Sequence, residues 1–462
     1  MTEAWSQLAY LIASACFIVG LKRLSSPRSA PSGNRLAAIG MLIAIVVTLV
    51  QSEVIRYEGI IAGALVGSLI GAVAAYRVQM TAMPQMVAAF NGFGGGASAL
   101  VSGAELMRLA STGSPPEAAI SIPIVAGTLI GAVTLTGSAV AFAKLQELVG
   151  GSAFVYPGQQ VVNGILALAL VATSVMLVMN PEDIRMFWGL FALAGLFGIL
   201  IVIPIGGADM PVIISLLNAY SGLAACATGF AINNQGLVIC GSLVGASGII
   251  LTQIMCKAMN RSLANVLFGA FGAGTVSAGA TSSATGTVKS GSAEDAAAIL
   301  DAARSVIIVP GYGLAVAQAQ HAVRELGSQL IARGVEVQYA IHPVAGRMPG
   351  HMNVLLAEAD VPYELLVEME MINSSFPRTD VALVIGANDV TNPDARDNPA
   401  SPIYGMPILE VDKSTTVMVC KRSMNPGFAG IDNPLYTLPQ TMMLFGDAKG
   451  MADDIVRAIK EL

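Results

Sequence analysis

Nine apolar stretches follow one another through the first part of the chain, near 5–21, 36–50, 59–76, 83–103, 119–143, 161–179, 186–205, 209–232 and 236–256. Each approaches the roughly 20 apolar residues a helix needs to cross a hydrocarbon core. The pattern therefore predicts a polytopic α-helical membrane domain of about nine transmembrane helices. The first stretch, Leu8–Gly20, has no basic flank or clear small-residue cleavage site and reads as a retained span, not a signal peptide. Beyond residue 292 the period changes. Helices are predicted at 293–303, 313–333 and 448–461, and strands at 305–309, 335–341, 381–386, 407–411, 416–420 and 442–446. Short Val/Ile runs alternating with helices predict a Rossmann-like α/β domain with a mainly parallel, doubly wound sheet. Residues 262–292 are rich in Gly, Ala, Ser and Thr and read as a flexible linker. The expected division is 1–261 in the membrane, 262–292 as linker and 293–462 as the α/β domain.

Composition sharpens this division. Of the 462 residues 54% are hydrophobic and only 12% charged, against about 25% charged in soluble domains. Nine of the 30 acids (Glu3, Glu53, Glu58, Glu105, Glu117, Glu147, Glu182, Asp183 and Asp209) precede residue 293, and the rest crowd into the last third. A net charge of −6 leaves no electrostatic footprint for nucleic acid. The five cysteines form no CxxC or zinc spacing, and four of them lie in apolar stretches as small buried thiols. With an odd number of spans, one set of loops holds Lys22, Arg23, Arg28, Arg35, Arg77, Lys144, Lys257 and Arg261. The other holds Arg56, Arg108 and Arg185. The positive-inside rule then puts the N-terminus outside and the α/β domain in the cytoplasm.

The chemistry concentrates at the ends of predicted strands. Gly311-Tyr312-Gly313-Leu-Ala-Val316 follows one strand and opens a helix, where glycines allow close backbone approach to a pyrophosphate. Val316 stands at the third fingerprint position, so a structural turn explains the motif too. NAD binders usually place an acid at the end of the next strand, about 20 residues on. Here that strand runs into His342-Pro-Val344-Ala345-Gly346-Arg347, with no acid. A second basic cluster, Lys421-Arg422-Ser423, follows the strand at 416–420. Cations in place of a carboxylate favour a ribose 2′-phosphate, hence NADP(H), although either cluster alone is also a solvated basic turn. Gly386-Ala387-Asn388-Asp389 ends another strand at its carboxyl edge, where Asp389 is a cofactor neighbour or a helix cap.

Within the membrane half, Asp209 lies at the mouth of a span, placed either to gate or to cap a helix. Asn91 and Asn218 lie deeper, either pinning helices or lining a wet path. Small-residue runs (Gly92 with Gly94, Gly95 and Gly96; Gly63, Gly67 and Gly71) suit close helix packing. All three histidines, His321, His342 and His351, fall in the α/β domain, so no span holds a group that titrates near neutral pH.

Several runs in order carry a resemblance over nearly the whole chain. They are Gly206-Gly-Ala-Asp-Met-Pro211, Ile254-Met-Cys-Lys-Ala-Met-Asn-Arg261, Pro310-Gly-Tyr-Gly313, Gly334 through His342 to Glu358, Ile385-Gly-Ala-Asn-Asp389, Lys421-Arg-Ser-Met-Asn425 and Leu444-Phe-Gly-Asp-Ala-Lys449. Together they resemble the β subunit of the proton-translocating, Re/Si-specific NAD(P) transhydrogenases of split-subunit bacterial type. The resemblance implies an NADP(H)-binding domain in the cytoplasm and direct hydride transfer from NADH held by a separate α subunit, with protons entering the cytoplasm. No side chain then serves as a catalytic acid or base, and no metal is implied. By position, Tyr312 and the loop Val344, Ala345, Gly346, Arg347, Met348 and Pro349 cover the pyrophosphate and ribose. Gly386, Ala387, Asn388, Asp389 and Val390 approach the nicotinamide. Lys421, Arg422 and Ser423 grip the 2′-phosphate, and Met424, Asn425, Pro426, Gly427 and Phe428 fold over as a lid. Asp447 and Ala448 lie near the adenosine. Asp209, Asn91 and Asn218 belong to the proton pathway.

Two positions depart from the family pattern. Asn91 stands where many members have histidine, which implies a small membrane α-type subunit carrying a proton-relay His. Phe428 replaces a common lid tyrosine. A dimer of the whole complex in the bacterial inner membrane is also implied. Asp209→Asn is expected to uncouple proton uptake while leaving NADP(H) binding largely intact, and unchanged coupled turnover in vesicles would refute that role. The alternatives are a transporter or channel with a nucleotide-sensing domain, and a membrane reductase, which would want haem-ligating His pairs that the spans lack.

Overall fold

The computed structural model describes the chain except for residues 1, 2, 25, 27, 52–56, 112–115, 150–153, 207, 208, 261, 269–286, 349, 402 and 427–430. Arg56, Arg261, Pro349, Gly427, Phe428 and most of the expected linker therefore lie outside the described residues. Two compact units form, one from Met1–Ile205 with Ile213–Thr252, the other from Gly206–Val212 with Gln253–Leu462.

The first unit is helical. Its apolar stretches become α1 (Glu3–Leu24), α2 (Ala30–Gln51), α3 (Glu58–Arg77), α4 (Met83–Ser111), α5 (Ala118–Leu145), α6 (Gln159–Met179) and α7 (Ile184–Val202), with most of α8 (Met210–Ala231) and α9 (Gln235–Ala258). Eight of these helices are long and apolar enough to cross a membrane. The 29-residue α4 is interrupted by Asn91, glycines and serines, and these polar and small positions face its neighbours. A Cβ added at Gly131 of α5 would lie 2.4 Å from the Gly95 carbonyl of α4, so glycine here sets the helix separation. Gly222 and Gly245 do the same for α8 and α9, at 2.4 Å. Gly63, Gly67 and Gly71 behave differently. Added Cβ atoms there meet nothing within 4 Å, and α3 buries none of its residues in this chain.

Lys144, in the last turn of α5, is buried, and its ammonium donates to the carbonyls of Ile203 (2.5 Å) and Ile205 (2.7 Å). It thereby satisfies acceptors left open at the end of α7.

The second unit holds α10 (Leu263–Phe268) and α11 (Ala293–Ala302), then a six-stranded sheet of order β3-β2-β1-β4-β5-β6. Its strands are β1 (Ser305–Pro310), β2 (Glu336–Ile341), β3 (Leu366–Glu368), β4 (Val381–Ile385), β5 (Thr416–Lys421) and β6 (Thr441–Phe445), and every pairing is parallel. This order is that of a dinucleotide-binding fold, with its crossover between β1 and β4. Both faces are apolar because both are covered. Ile307, Val309, Ala382, Val384, Val417 and Val419 face a cluster that includes Phe376, Leu409, Val411, Leu435 and Tyr436. The alternate residues face the opposite way, as strand geometry requires, toward the side where α13 (Gln320–Ala332) and α11 pack on α17 (Ala448–Glu461). Between these lie α12 (Tyr312–Val316), α14 (His351–Glu358) and two four-residue helices, α15 (Met369–Ile372) and α16 (Asp394–Asp397).

Three local expectations change. The single helix expected at 313–333 breaks into α12 and α13, with Gln318 at φ +50° in the break. The run 407–411 is no strand: Leu409 N donates to Val390 O (2.9 Å), and the Asn373 amide holds both Ile408 O (2.9 Å) and Glu410 N (3.2 Å). Its backbone bonds are taken by loops, and its apolar side chains fill the core instead. The third change is β3, three residues long, with only Leu366 and Val367 as its apolar content.

Candidate cofactor site

A cavity of about 910 Å³ opens at the carboxyl ends of β1, β4, β5 and β6, within the second unit. Open parallel sheets bind ligands at this edge. The turn from β1 to α12 and the exit of β4 are interlocked. Gly311 N donates to Ile385 O and Gly313 N to Gly386 O, both at 2.9 Å. A Cβ at Gly311 would lie 2.4 Å from Ala387 Cα, and one at Gly386, where φ is +70°, would lie 2.3 Å from Leu314 N. The glycines thus serve backbone-to-backbone contact as well as an open wall.

Twenty of the residues singled out from sequence line this cavity: Gly311, Tyr312, Gly313, Val316, Val344, Ala345, Gly346, Arg347, Gly386, Ala387, Asn388, Asp389, Val390, Lys421, Arg422, Ser423, Asn425, Pro426, Asp447 and Ala448. Met348 is buried and Met424 is exposed, and neither is on the wall. Sequence reasoning missed Ala317, Ile403, Met406, Cys420 and Gly446, and it assigned Asp209 only to coupling. Asp209, Pro211 and Met259, all of this same unit, also line the wall. The buried run through Ile408 was a signal that its neighbour Met406 points inward, but nothing local marked Ile403.

The loop after β2 is built around two neutral histidines. His342 Nδ1 accepts from Val344 N (3.2 Å), so its Nε2 carries the proton and donates to Pro407 O (2.9 Å). His351 Nδ1 accepts from Arg347 N (3.0 Å), and the Arg347 guanidinium lies 4.5 Å from the Tyr312 ring centroid. Burial lowers both imidazoles to about 4; at His351 the Arg347 charge adds to the effect, and at His342 the Pro407 bond opposes it. Because the folded values lie below the ordinary 6.5, the unfolded chain binds more protons between the two. Stability that is complete above pH 6.5 is therefore lost progressively as pH falls toward 4. Thermal unfolding across this range should show that decline, and a His342→Asn, His351→Asn double variant should flatten it.

At the end of β5, Lys421 donates to Asn425 O and its ammonium lies 5.2 Å from the Tyr436 ring centroid. Burial lowers the Lys421 pKa, while Asp389 and Asp432 oppose the shift. Asp447 accepts from Lys449 N (3.1 Å) and Gly450 N (3.4 Å), capping α17 beside the cavity. Among the described residues no group of three or more His, Cys, Asp or Glu could hold a metal ion.

In the helical unit the buried Asn91 amide donates to Ile214 O on α8 at 3.2 Å, pinning α4 to α8. Asn218, one turn further along α8, is half-buried.

A helical membrane domain joined to a Rossmann-like domain, with a cavity at its sheet edge lined by Lys421 and Arg422 as well as Asp389 and Asp447, defines a membrane protein of the dinucleotide-binding class. The family model described as NAD(P) transhydrogenase beta subunit matches residues 6–458. Two sequences of NAD(P) transhydrogenase subunit beta from Rhodospirillum rubrum, one of them from a designated strain, are each 51% identical over 464 residues, 99% of this chain and 100% of the relative. The chain belongs to the NAD(P) transhydrogenase beta subunit family. It is a multi-pass membrane protein, and as a beta subunit it works with an alpha subunit.

Proposed function

We propose that this chain is the NADP(H)-binding subunit of a proton-translocating transhydrogenase, in which hydride passes from NADH on the alpha subunit to NADP+ as protons enter the cytoplasm. The observation that carries the NADP(H) assignment is the charge pattern at the sheet edge. β2 ends in the buried, neutral His342 where an NAD binder places an acid, whereas β5 ends in Lys421 and Arg422 on the cavity wall. The cavity's size also suits a dinucleotide.

Lys421, Arg422 and Ser423 hold the 2′-phosphate in this reading, and Tyr312 with Val344–Arg347 holds the pyrophosphate and ribose. Gly386–Val390 flank the nicotinamide, and Asp447 and Ala448 the adenosine. NADP(H), when bound, supplies the carbon that accepts or gives up hydride. The chain's own contribution is orientation, worth up to about 7–11 kcal/mol when reacting groups are held in register. Residues 1–261 form the translocating domain, 262–292 the linker and 293–462 the nucleotide domain. Coupling acts through differential NADP(H) affinity between two states, and the place of Asp209 on the cavity wall supports its part in it. The lack of histidine before residue 293 supports a small membrane partner that carries the relay His. In this reading the N-terminus lies outside and the nucleotide domain in the cytoplasm of a bacterial cell, which the Lys and Arg bias of alternate loops supports, and two complexes pair as a dimer.

Calorimetric titration of the purified full chain tests the cofactor assignment. NADP+ should bind at least roughly 100-fold tighter than NAD+, as two charge-assisted contacts imply. Equal affinities, or a preference for NAD+, would overturn it.

A further inference from the structure

We propose that Tyr436 and Asn433 are positioning residues that decide which end of the Asn388 amide faces the cavity, and that the NH2 so presented recognises the carboxamide oxygen of a nicotinamide ring. This rests on the NADP(H) reading above.

The backbone N–H of Leu435 can only donate, and it lies 3.0 Å from Asn433 Oδ1. The other end of the Asn433 amide is therefore Nδ2, which donates to the Asn388 carbonyl oxygen and to Asn388 Oδ1, both at 3.1 Å. The Tyr436 hydroxyl donates to the same Oδ1 at 2.6 Å. Burial raises the Tyr436 pKa above its ordinary value, so the hydroxyl stays a donor. With two donors on one side, the Asn388 oxygen is committed there and its NH2 is turned the other way. That nitrogen is buried and has no hydrogen-bond acceptor among the described residues. A buried NH2 without an acceptor carries a desolvation cost that a ligand oxygen would relieve.

Asn388 lies on the cavity wall between Ala387 and Asp389. The adjacent carboxylate disfavours an anionic ligand group at this point, while a neutral carboxamide offers its oxygen to Asn388 and its own NH2 to surrounding acceptors. Asn433 and Tyr436 lie 45 and 48 residues from Asn388 in sequence and reach it from the segment following β5. Asn433 acts on the cofactor only through it, whereas the Tyr436 ring also lies 5.2 Å from the Lys421 ammonium, a contact that phenylalanine would keep.

The test compares two ligands on the purified full chain by calorimetric titration: NADP+ and 2′-phospho-ADP-ribose, which lacks only the nicotinamide ring. Tyr436→Phe removes one of the two donors and should weaken NADP+ roughly three- to tenfold. Asn433→Asp places a carboxylate against the Asn388 oxygen and should turn the amide over, with a loss of about tenfold or more. In both variants the affinity for 2′-phospho-ADP-ribose should hold within about twofold, because Tyr436→Phe keeps the ring beside Lys421 and the other contacts of this ligand are elsewhere. Equal losses for both ligands would mean a merely structural role, and unchanged NADP+ affinity in both variants would mean no role; either result overturns the proposal. An unaltered chain that binds the two ligands equally overturns it as well. If that chain binds neither, the NADP(H) assignment falls too.

Discussion

Replacing Lys421 and Arg422 together with alanine is expected to weaken NADP+ by roughly 100- to 1,000-fold and to remove the preference over NAD+. Each charge-assisted hydrogen bond to a phosphate is worth about 1.5–3 kcal/mol. The lower part of that range applies here, because Arg422 is exposed and only Lys421 is half-buried. Lys421 is also held in place by the Asn425 carbonyl and the Tyr436 ring, so less side-chain freedom is lost when a phosphate arrives. The effect should shrink for NAD+, which has no phosphate at that position, and the NADP+ affinity should fall as salt rises. Titrating both dinucleotides at two ionic strengths measures it. A double variant that keeps its selectivity would move the 2′-phosphate site away from β5.

Gly386→Ala should cost about 3 kcal/mol or more in local stability and abolish nucleotide binding at ordinary concentrations. Two effects combine. The residue sits at φ +70°, which costs a side-chain-bearing residue about 1–2 kcal/mol. Its new Cβ would also lie 2.3 Å from the backbone nitrogen of Leu314, and backbone cannot swing aside as the tip of a long side chain can. The turn after β1 and the exit of β4 would have to part, breaking the bonds from Gly311 and Gly313. Amide hydrogen exchange on β1 and β4 should quicken by roughly 100-fold, the equivalent of about 3 kcal/mol. Unchanged exchange would show that the interlock yields cheaply.

Much of this was legible in the chain because the signals were local. β1, β4, β5 and β6 are short buried runs with turn residues at their ends. The cavity forms where those ends meet, so Gly311–Gly313, Gly386–Asp389, Lys421–Ser423 and Asp447 come together by topology alone. What was not legible depends on distance in sequence. The pairing of Asn388 with Asn433 and Tyr436 spans 45 and 48 residues, and nothing near Asn388 announces it. The segment 407–411 has the composition of a strand, but Asn373 and Val390 reach its backbone before a neighbouring strand does. For Asn91, pinning and a wet path were both open from sequence. Its amide donates to Ile214 O, a bond between α4 and α8 that no local signal marked. The α3 glycines suggested packing by their spacing, yet they face no partner within this chain.

The clasp between the loops after β1 and β4 bears on how such a protein could let go of a tightly held nucleotide. Two walls joined main chain to main chain cannot swing apart on thermal timescales without local unfolding. In the proposed reading, loosening comes from the other rim, where the side chains of Lys421 and Arg347 line the cavity and rotamer changes suffice. The central strands then act as a fixed anvil, and the variable grip belongs to the loops that follow β2 and β5.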